Sequence, residues 1–268
     1  MVIKSKSWIL HRLVSKVARR LMGTITHVIT KDNVIALTFD DGPHPESTPQ
    51  LLDILKRYNA RATFFMVGDL AQRYPRLVRH VAQAGHAIGN HSWDHPSFPF
   101  ISAQERRAQI RACQKVLAPY GCRIFRPPYG DQTFASRLDA LFTQQQVVTW
   151  NVVAEDWLDH DANWYVDYLM KKFMPGSIVV FHDTLYHTLE DHYANREPVF
   201  QAIDMLLKQL ETSFNFVPVP ELLKYGRPKK QLWYKKSVPQ WLNRHKSQVG
   251  RIRRYSNNFE KKHILSIR

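Results

Sequence analysis

Ile35-Ala36-Leu37-Thr38-Phe39-Asp40-Asp41-Gly42-Pro43 is a short apolar run that ends in two adjacent carboxylates and a turn. Its β-branched and aromatic content reads as a buried strand. An Asp-Gly-Pro turn is common in any chain, yet two acids closing a buried strand are costly unless each is neutralised. Outward from 34–39, further strand-like runs occur at 62–67, 86–89, 123–126, 147–152, 177–181 and 216–219. Helical patterns lie between them. Thr48-Pro49 predicts an N-cap followed by proline at the first helical position, with Leu51, Leu52, Ile54 and Leu55 as the buried stripe. Gly85 is placed to close a helix that begins near Pro75, and Ser102 with Glu105 predicts a capping box for a helix reaching about Tyr120. Seven strands alternating with helices predict a parallel α/β sheet, either open or closed into a barrel.

The polar clusters fall just past the strand ends. Asp40-Asp41 follow the first strand, His91 and His95 the third, and Arg126-Pro127-Pro128-Tyr129-Gly130 the fourth. Asp156-Trp157 follow the fifth and His182-Asp183 the sixth. In a parallel barrel those ends share one face, where active sites are built. His91 and His95 are spaced i, i+4, so on a helical turn both imidazoles would point the same way and could bind one metal. Asp41 can supply a third ligand, and two imidazoles with one carboxylate leave metal positions for water and substrate. One of the paired carboxylates is then neutralised by the metal and the other by Arg126. His182 ends the run Ile178-Val179-Val180-Phe181, and Asp156 is available to hold its ring and raise its pKa, as a proton donor needs. Each feature alone has a plainer reading: a surface histidine pair, a turn, a core histidine, a packed tryptophan.

Thr38-Phe39-Asp40-Asp41-Gly42-Pro43, His91-Ser92-Trp93-Asp94-His95, Arg126-Pro127-Pro128-Tyr129-Gly130, Asp156-Trp157 and Val180-Phe181-His182-Asp183 resemble, in this order, the five motifs of the polysaccharide deacetylases. This is the NodB-homology, or carbohydrate esterase family 4, group, and the resemblance covers about residues 33–225. It implies a distorted (β/α) barrel of about seven parallel strands, and a metal-dependent hydrolase that removes N-acetyl groups from the amino sugars of a glycan. It further implies Asp40 as general base and Asp41, His91 and His95 as ligands of one divalent metal ion, zinc being the usual one. Arg126 resembles the partner of Asp40, and the Tyr129 backbone N–H the oxyanion donor. Asp156 resembles the carboxylate that tunes the acid, and His182 the acid itself. Trp157, Val180 and Pro128 would line the pocket for the acetyl methyl. Two departures stand out: Val153 occupies a position where the fourth motif often carries an additional Asp, and Val180 one where the fifth commonly has Leu. The first puts local hydrogen bonding in question, and the second leaves more room near the acetyl group.

Alternatives remain within and beyond this chemistry. An O-acetyl esterase or a deformylase acting on a lipid-linked amino sugar would use the same inventory, and a glycan-binding relative could keep the fold without catalysis. Non-haem iron oxygenases share the two-His, one-carboxylate set, but they need neither a second carboxylate base nor an acidic His, and the βα alternation argues against them. The loop 184–196, with Tyr186, His187, His192 and Tyr193, is the stretch nearest the acid that is suited to sugar contact.

The net charge of +15 is unevenly distributed. Residues 1–31 hold seven Lys/Arg and no acids, 227–268 hold thirteen and one acid, and 32–226 hold 18 against 22 acids. We therefore divide the chain into a basic N-terminal arm (1–31), a catalytic domain (32–226) and a basic C-terminal tail (227–268). In the arm, Ile9, Leu10, Leu13, Val14, Val17 and Leu21 recur at helical spacing beside Arg12, Lys16, Arg19 and Arg20. That pattern suits a helix lying on an anionic membrane surface, and Trp233, Tyr234 and Trp241 in the tail suit headgroup depth. Nucleic acid is the weaker partner, since no recognised binding fold accompanies the charge. No apolar run approaches the ~18 residues of a membrane span, and His11, Arg12 and Lys16 interrupt any signal-peptide core. A cytoplasmic protein, peripheral to the membrane, is the expectation. Cys113 and Cys122 are too few and too poorly spaced for a disulfide framework or a metal site.

Overall fold

The computed structural model describes residues 22–187 and 194–236. The apolar and basic positions read at helical spacing over 9–21, the tail beyond 236 with Trp241, and His192 and Tyr193 lie outside the described residues. In chain order the elements are β1 (Thr24–Ile29), β2 (Val34–Asp40), α1 (Ser47–Arg57), β3 (Thr63–Met66), α2 (Gly68–Arg73), α3 (Pro75–Gln83), β4 (Ala87–Asn90), α4 (Ala103–Leu117) and β5 (Gly121–Phe125). There follow α5 (Phe134–Phe142), β6 (Gln146–Val147), β7 (Val152–Val153), α6 (Ala162–Met170), β8 (Ile178–His182), α7 (Glu197–Leu210), β9 (Asn215–Phe216), α8 (Val219–Leu222) and β10 (Arg227–Gln231).

Seven parallel strands run in the order β6-β5-β4-β3-β2-β8-β7, and β9 pairs with the start of β2. The sheet curls as an incomplete barrel whose edge strands do not pair with each other. β1 bridges that gap through Val148 and Ser177. The single strand expected over 147–152 is accordingly two: residue 148 still bonds the Phe125 carbonyl, 149 bonds Ile25, and 151 has crossed to Ile178. Residues 148–151 span the opening instead of extending one ladder.

Every residue of β2 is buried, and its period of two decides the site. Ile35, Leu37 and Phe39 belong to the core under the outer helices, with Leu51, Leu55, Ile203 and Leu207. Val34 and Ala36 belong to a second core inside the barrel, with Phe65, Ile124 and Ile178. Phe39 stacks beside Phe64 and Phe181 on the outer side, ring centroids 5.3 and 5.8 Å apart, which leaves Thr38 and Asp40 on the inner face. β8 pairs with Phe181 opposite Phe39 and His182 opposite Asp40, so its His182 shares that face.

The capping box at Ser102 and Glu105 starts α4 as expected, and Gly85 (φ +84°) follows α3. Thr48 departs from expectation. α1 begins two residues earlier, at Ser47 rather than Pro49, and the Thr48 hydroxyl accepts from the His44 N–H and donates to Asp183 instead of capping the helix. The folded unit also extends beyond the boundaries drawn from charge. β1 and β10 form an antiparallel ribbon, and residue 235 exchanges backbone hydrogen bonds with Gln132. Among the described residues no helix is long and apolar enough to cross a membrane.

Candidate active site

Asp41 follows β2 with a left-handed backbone (φ +76°) that turns its carboxylate across the strand ends. Its Oδ2 accepts the Tyr186 N–H at 3.0 Å. Oδ1 lies 3.3 Å from His91 Nε2 and 3.1 Å from His95 Nε2, yet neither approach has hydrogen-bond direction and this buried oxygen has no such partner. The three atoms, all within 4.8 Å of one another, aim at a shared point rather than at each other. His91 Nδ1 sits 2.8 Å from the Arg126 carbonyl. A carbonyl only accepts, so the proton belongs on Nδ1 and Nε2 offers a lone pair. Burial pushes the Asp41 carboxyl up, but the facing imidazoles outweigh it and hold it well below the usual range. Burial lowers His95 despite Asp41. One carboxylate and two imidazoles converging on a point are a donor set that a divalent cation binds, so these residues fit one.

His91 and His95 do not lie on a helical turn. Ser92 (φ +69°) and His95 (φ +59°) are both left-handed, because the loop's bonds go elsewhere. The Ser92 and Trp93 carbonyls accept the N–H groups of Gly68 and Asp69, which open α2. Asn90 Oδ1 accepts from Ser92 N–H at 2.9 Å and Ser92 Oγ from His95 N–H at 3.1 Å. Gly68 permits this approach: a Cβ there would meet the Trp93 ring at 2.7 Å.

Arg126 is fully buried. Its Nη1 donates to Asp40 Oδ1 and to Thr38 Oγ1, both at 2.7 Å. Nη2 donates to the Thr149 carbonyl at 2.8 Å and Nε to that of Val148 at 3.3 Å, and the guanidinium carbon lies 4.0 Å above the Phe65 ring. Asp40 is thereby held on the inner face with one oxygen committed to Arg126. Tyr129 is left-handed (φ +60°) in the turn that follows. Gly130 N–H and Asp131 N–H close the turn onto the Pro127 and Pro128 carbonyls, with Pro128 buried in it. The Tyr129 ring meets His95 edge-on at 4.4 Å. Trp233 Nε1 donates to the Gly130 carbonyl at 3.0 Å and Lys235 Nζ to that of Tyr129 at 2.8 Å. Two residues assigned by charge to a tail thus hold the turn.

His182 ends β8. Its Nδ1 lies 2.9 Å from Asp156 Oδ1, and its own N–H donates to Asp156 Oδ2 at 2.7 Å. Burial would depress the imidazole, but Asp156, with smaller contributions from Asp41 and Asp40, lifts it to about 9. Asp156 is buried, which favours its neutral form, yet His182 and Arg196 draw its pKa down. Trp157 is 41% exposed, and its ring meets that of His182 edge-on at 5.8 Å. Val180, two residues before His182, is buried.

The structure thus joins Asp40 to Arg126, Asp41 to His91 and His95, and Asp156 to His182. Three participants had no role in the sequence reading. Thr38 shares the Asp40 face and was discoverable by parity alone. Arg196 contacts both Asp156 and the His182 carbonyl, with no local pattern to announce it. Asp183 is fully buried and accepts from Thr48, and burial raises its carboxyl to about 7. It packs on Gly42 so closely that a Cβ there would fall 2.2 Å from its oxygen.

Residues 27–148 match the family model described as polysaccharide deacetylase. A peptidoglycan-N-acetylglucosamine deacetylase of Bacillus cereus is 34% identical over 200 residues, covering 73% of this chain and 70% of that protein. A chitooligosaccharide deacetylase of Azorhizobium caulinodans is 34% identical over 170 residues, 61% of this chain and 80% of that one. The crystal structure of the Bc1960 peptidoglycan N-acetylglucosamine deacetylase, bound to 4-naphthalen-1-yl-N-oxidanyl-benzamide, superposes with a TM-score of 0.69 at 28% identity, over 85% of this chain and all of that one. With the seven-stranded curled sheet and the shared strand-end face, these place the chain in the polysaccharide deacetylase family.

Proposed function

We propose that the protein hydrolyses the N-acetyl group of N-acetylglucosamine-type residues in a glycan, releasing acetate and a free amino sugar. The observation that carries the reading is the pairing of Asp40 with His182 at the ends of adjacent strands, beside the Asp41–His91–His95 cluster. Those three residues would hold a divalent cation, with zinc as the ion. When bound, it supplies Lewis-acid polarisation of the acetyl carbonyl and of a water. Asp40, oriented by Arg126, takes the proton of the attacking water. The Tyr129 N–H donates to the oxyanion as the carbonyl becomes tetrahedral. His182, charged beside Asp156, gives its Nε2 proton to the departing nitrogen, since an amine anion is too basic to leave unprotonated. Trp157, Val180 and Pro128 border the acetyl methyl. The relatives' named substrates, peptidoglycan and chitooligosaccharides, define the glycan classes to try.

The test is acetate release from a panel of N-acetylated oligosaccharides and peptidoglycan, with O-acetyl esters and N-formyl amino sugars as comparators. Activity on the amides, scaling with added zinc, is the expected result. Turnover confined to the esters or formamides would replace this reading with one of a related deacylase. No turnover on any substrate by metal-loaded protein would leave a binding role.

A further inference from the structure

We propose that Arg196 is a positioning residue for the proton donor, locking Asp156 and His182 into one unit so that the ring's Nε2 faces the leaving nitrogen. This rests on the deacetylase reading above. The site needs such a lock because Asp156 lies outside the strands and is reached from the sheet through His182. It lies beyond β7, a two-residue strand at the sheet's edge, and past Glu155, whose backbone is left-handed (φ +60°). His182, by contrast, is fixed by β8. A carboxylate on an edge loop would drift relative to the ring it orients.

Arg196 joins the two sides. Its Nη1 donates to the Asp156 main-chain carbonyl at 2.7 Å. Its Nη2 donates to the Asp156 carboxylate Oδ2 and, at 2.9 Å, to the His182 carbonyl. Asp156 meanwhile accepts the N–H of residue 182 on the same Oδ2 and faces the ring Nδ1 with Oδ1. Residues 156 and 182 are therefore clamped by backbone and by side chain. The guanidinium is itself rigidly mounted. Arg196 directly precedes α7, whose Phe200, Ile203 and Leu207 are buried in the main core, and its carbonyl accepts the Phe200 N–H at 2.9 Å. Both charged side chains are nearly inaccessible, 4% for Arg196 and 0% for Asp156.

Burying an ion pair gains little stability by itself, since desolvation offsets the attraction. A planar, multidentate clamp serves better as a geometric device, and lysine cannot reproduce it. The groups facing the acid are Asp156, Asp41 and Asp40 on the anionic side and Arg196 on the cationic side.

A positioned acid matters only for a leaving group that needs a proton. The test compares full-length, zinc-loaded wild type with Arg196→Lys and Arg196→Gln on two substrates: N-acetylglucosamine oligomers, and an aryl acetate whose phenolate leaves unprotonated. Misplacing an acid by about 1 Å costs up to ~10²-fold. We therefore expect kcat on the amide to fall ~10–10²-fold in R196Q and less in R196K, with KM and zinc content unchanged and the aryl acetate affected less than ~3-fold. Proton NMR supplies an independent readout: the hydrogen-bonded Nδ1 proton of His182 should be resolved far downfield in wild type and broadened or lost in R196Q. Equal losses on both substrates, unchanged amide turnover, or an unaltered proton signal in R196Q would overturn the proposal. If wild type deacetylates nothing, the deacetylase reading fails separately, and the proton signal still decides whether Arg196 orders the ring.

Discussion

Asp156→Asn is the perturbation whose consequence the structure makes most quantitative. Asparagine keeps the shape and can still accept from His182 Nδ1, but it removes the charge that supplies the largest upward influence on the ring. Burial then meets weaker opposition, and the imidazole should fall from about 9 toward its ordinary 6.5, which sets the limit of the effect. The sign follows from the role. A raised pKa keeps the acid protonated until pH climbs through about 9, and lowering it moves the alkaline loss of activity toward neutrality. With pKa values of about 9 and 6.5, the ratio of protonated fractions, wild type over variant, is ~1.3 at pH 6, ~4 at pH 7 and ~30 at pH 8. Lost orientation adds a pH-independent factor on top. The assay is kcat/KM for acetate release from an N-acetylglucosamine oligomer across this range, with zinc content matched. A ratio that stays flat from about pH 6 to about pH 8 would refute the electrostatic role of Asp156, however large the loss.

Other expectations concern the remaining parts. Asp40→Asn should lose ~10²–10⁴-fold in kcat while retaining metal; because it leaves the fully buried Arg126 without a counter-charge, melting should show destabilisation of up to ~3–5 kcal/mol. Near-normal turnover in a folded variant would place the base elsewhere. Chelation should abolish acetate release and lower the melting temperature, since an ion bound only by the folded state stabilises it, and zinc or cobalt should restore both; full activity in verified metal-free protein would remove the cation from the scheme. The basic arms are proposed to bind anionic membrane, so the chain should sediment with anionic vesicles, less so at high salt or after deletion of residues 1–21. No sedimentation at low salt would exclude that role and leave the deacetylase reading intact.

Much of the site was legible because strand parity and strand ends are local properties. Residues 34–40 alternate between two cores, so the inner-face position of Asp40 follows from the order of side chains alone. The same holds for His182, two residues from Val180 and four from Ile178 on β8. Legibility failed where a partner comes from far along the chain. β10 has the exposure pattern of a polar edge, with Arg227, Lys229 and Gln231 outward, so it carries no apolar stripe to distinguish it from a solvated tail. Its pairing with β1 is a contact between chain ends, invisible to any window. Arg196 sits at the end of a polar loop, where an arginine ordinarily means solvent.

Local propensity also failed at the site in a consistent way. Of seven non-glycine residues with positive φ among those described, five are Asp41, Ser92, His95, Tyr129 and Glu155, all just past strands that feed the site. Such conformations cost about 1–3 kcal/mol each, and no residue type here advertises them as glycine would. They persist because other bonds hold them. Tyr186 N–H grips Asp41, and Asn90 and Ser92 tie the histidine loop. Lys235 and Trp233 hold the carbonyls of Tyr129 and Gly130, and Arg196 braces Asp156 just after Glu155. Beyond the turn that Asp41-Gly42-Pro43 announces, propensity would have sent these ends onward in an extended or helical course. The left-handed residues turn them inward, and most of the residues that hold those turns, Tyr186, Arg196, Trp233 and Lys235, come from elsewhere in the chain.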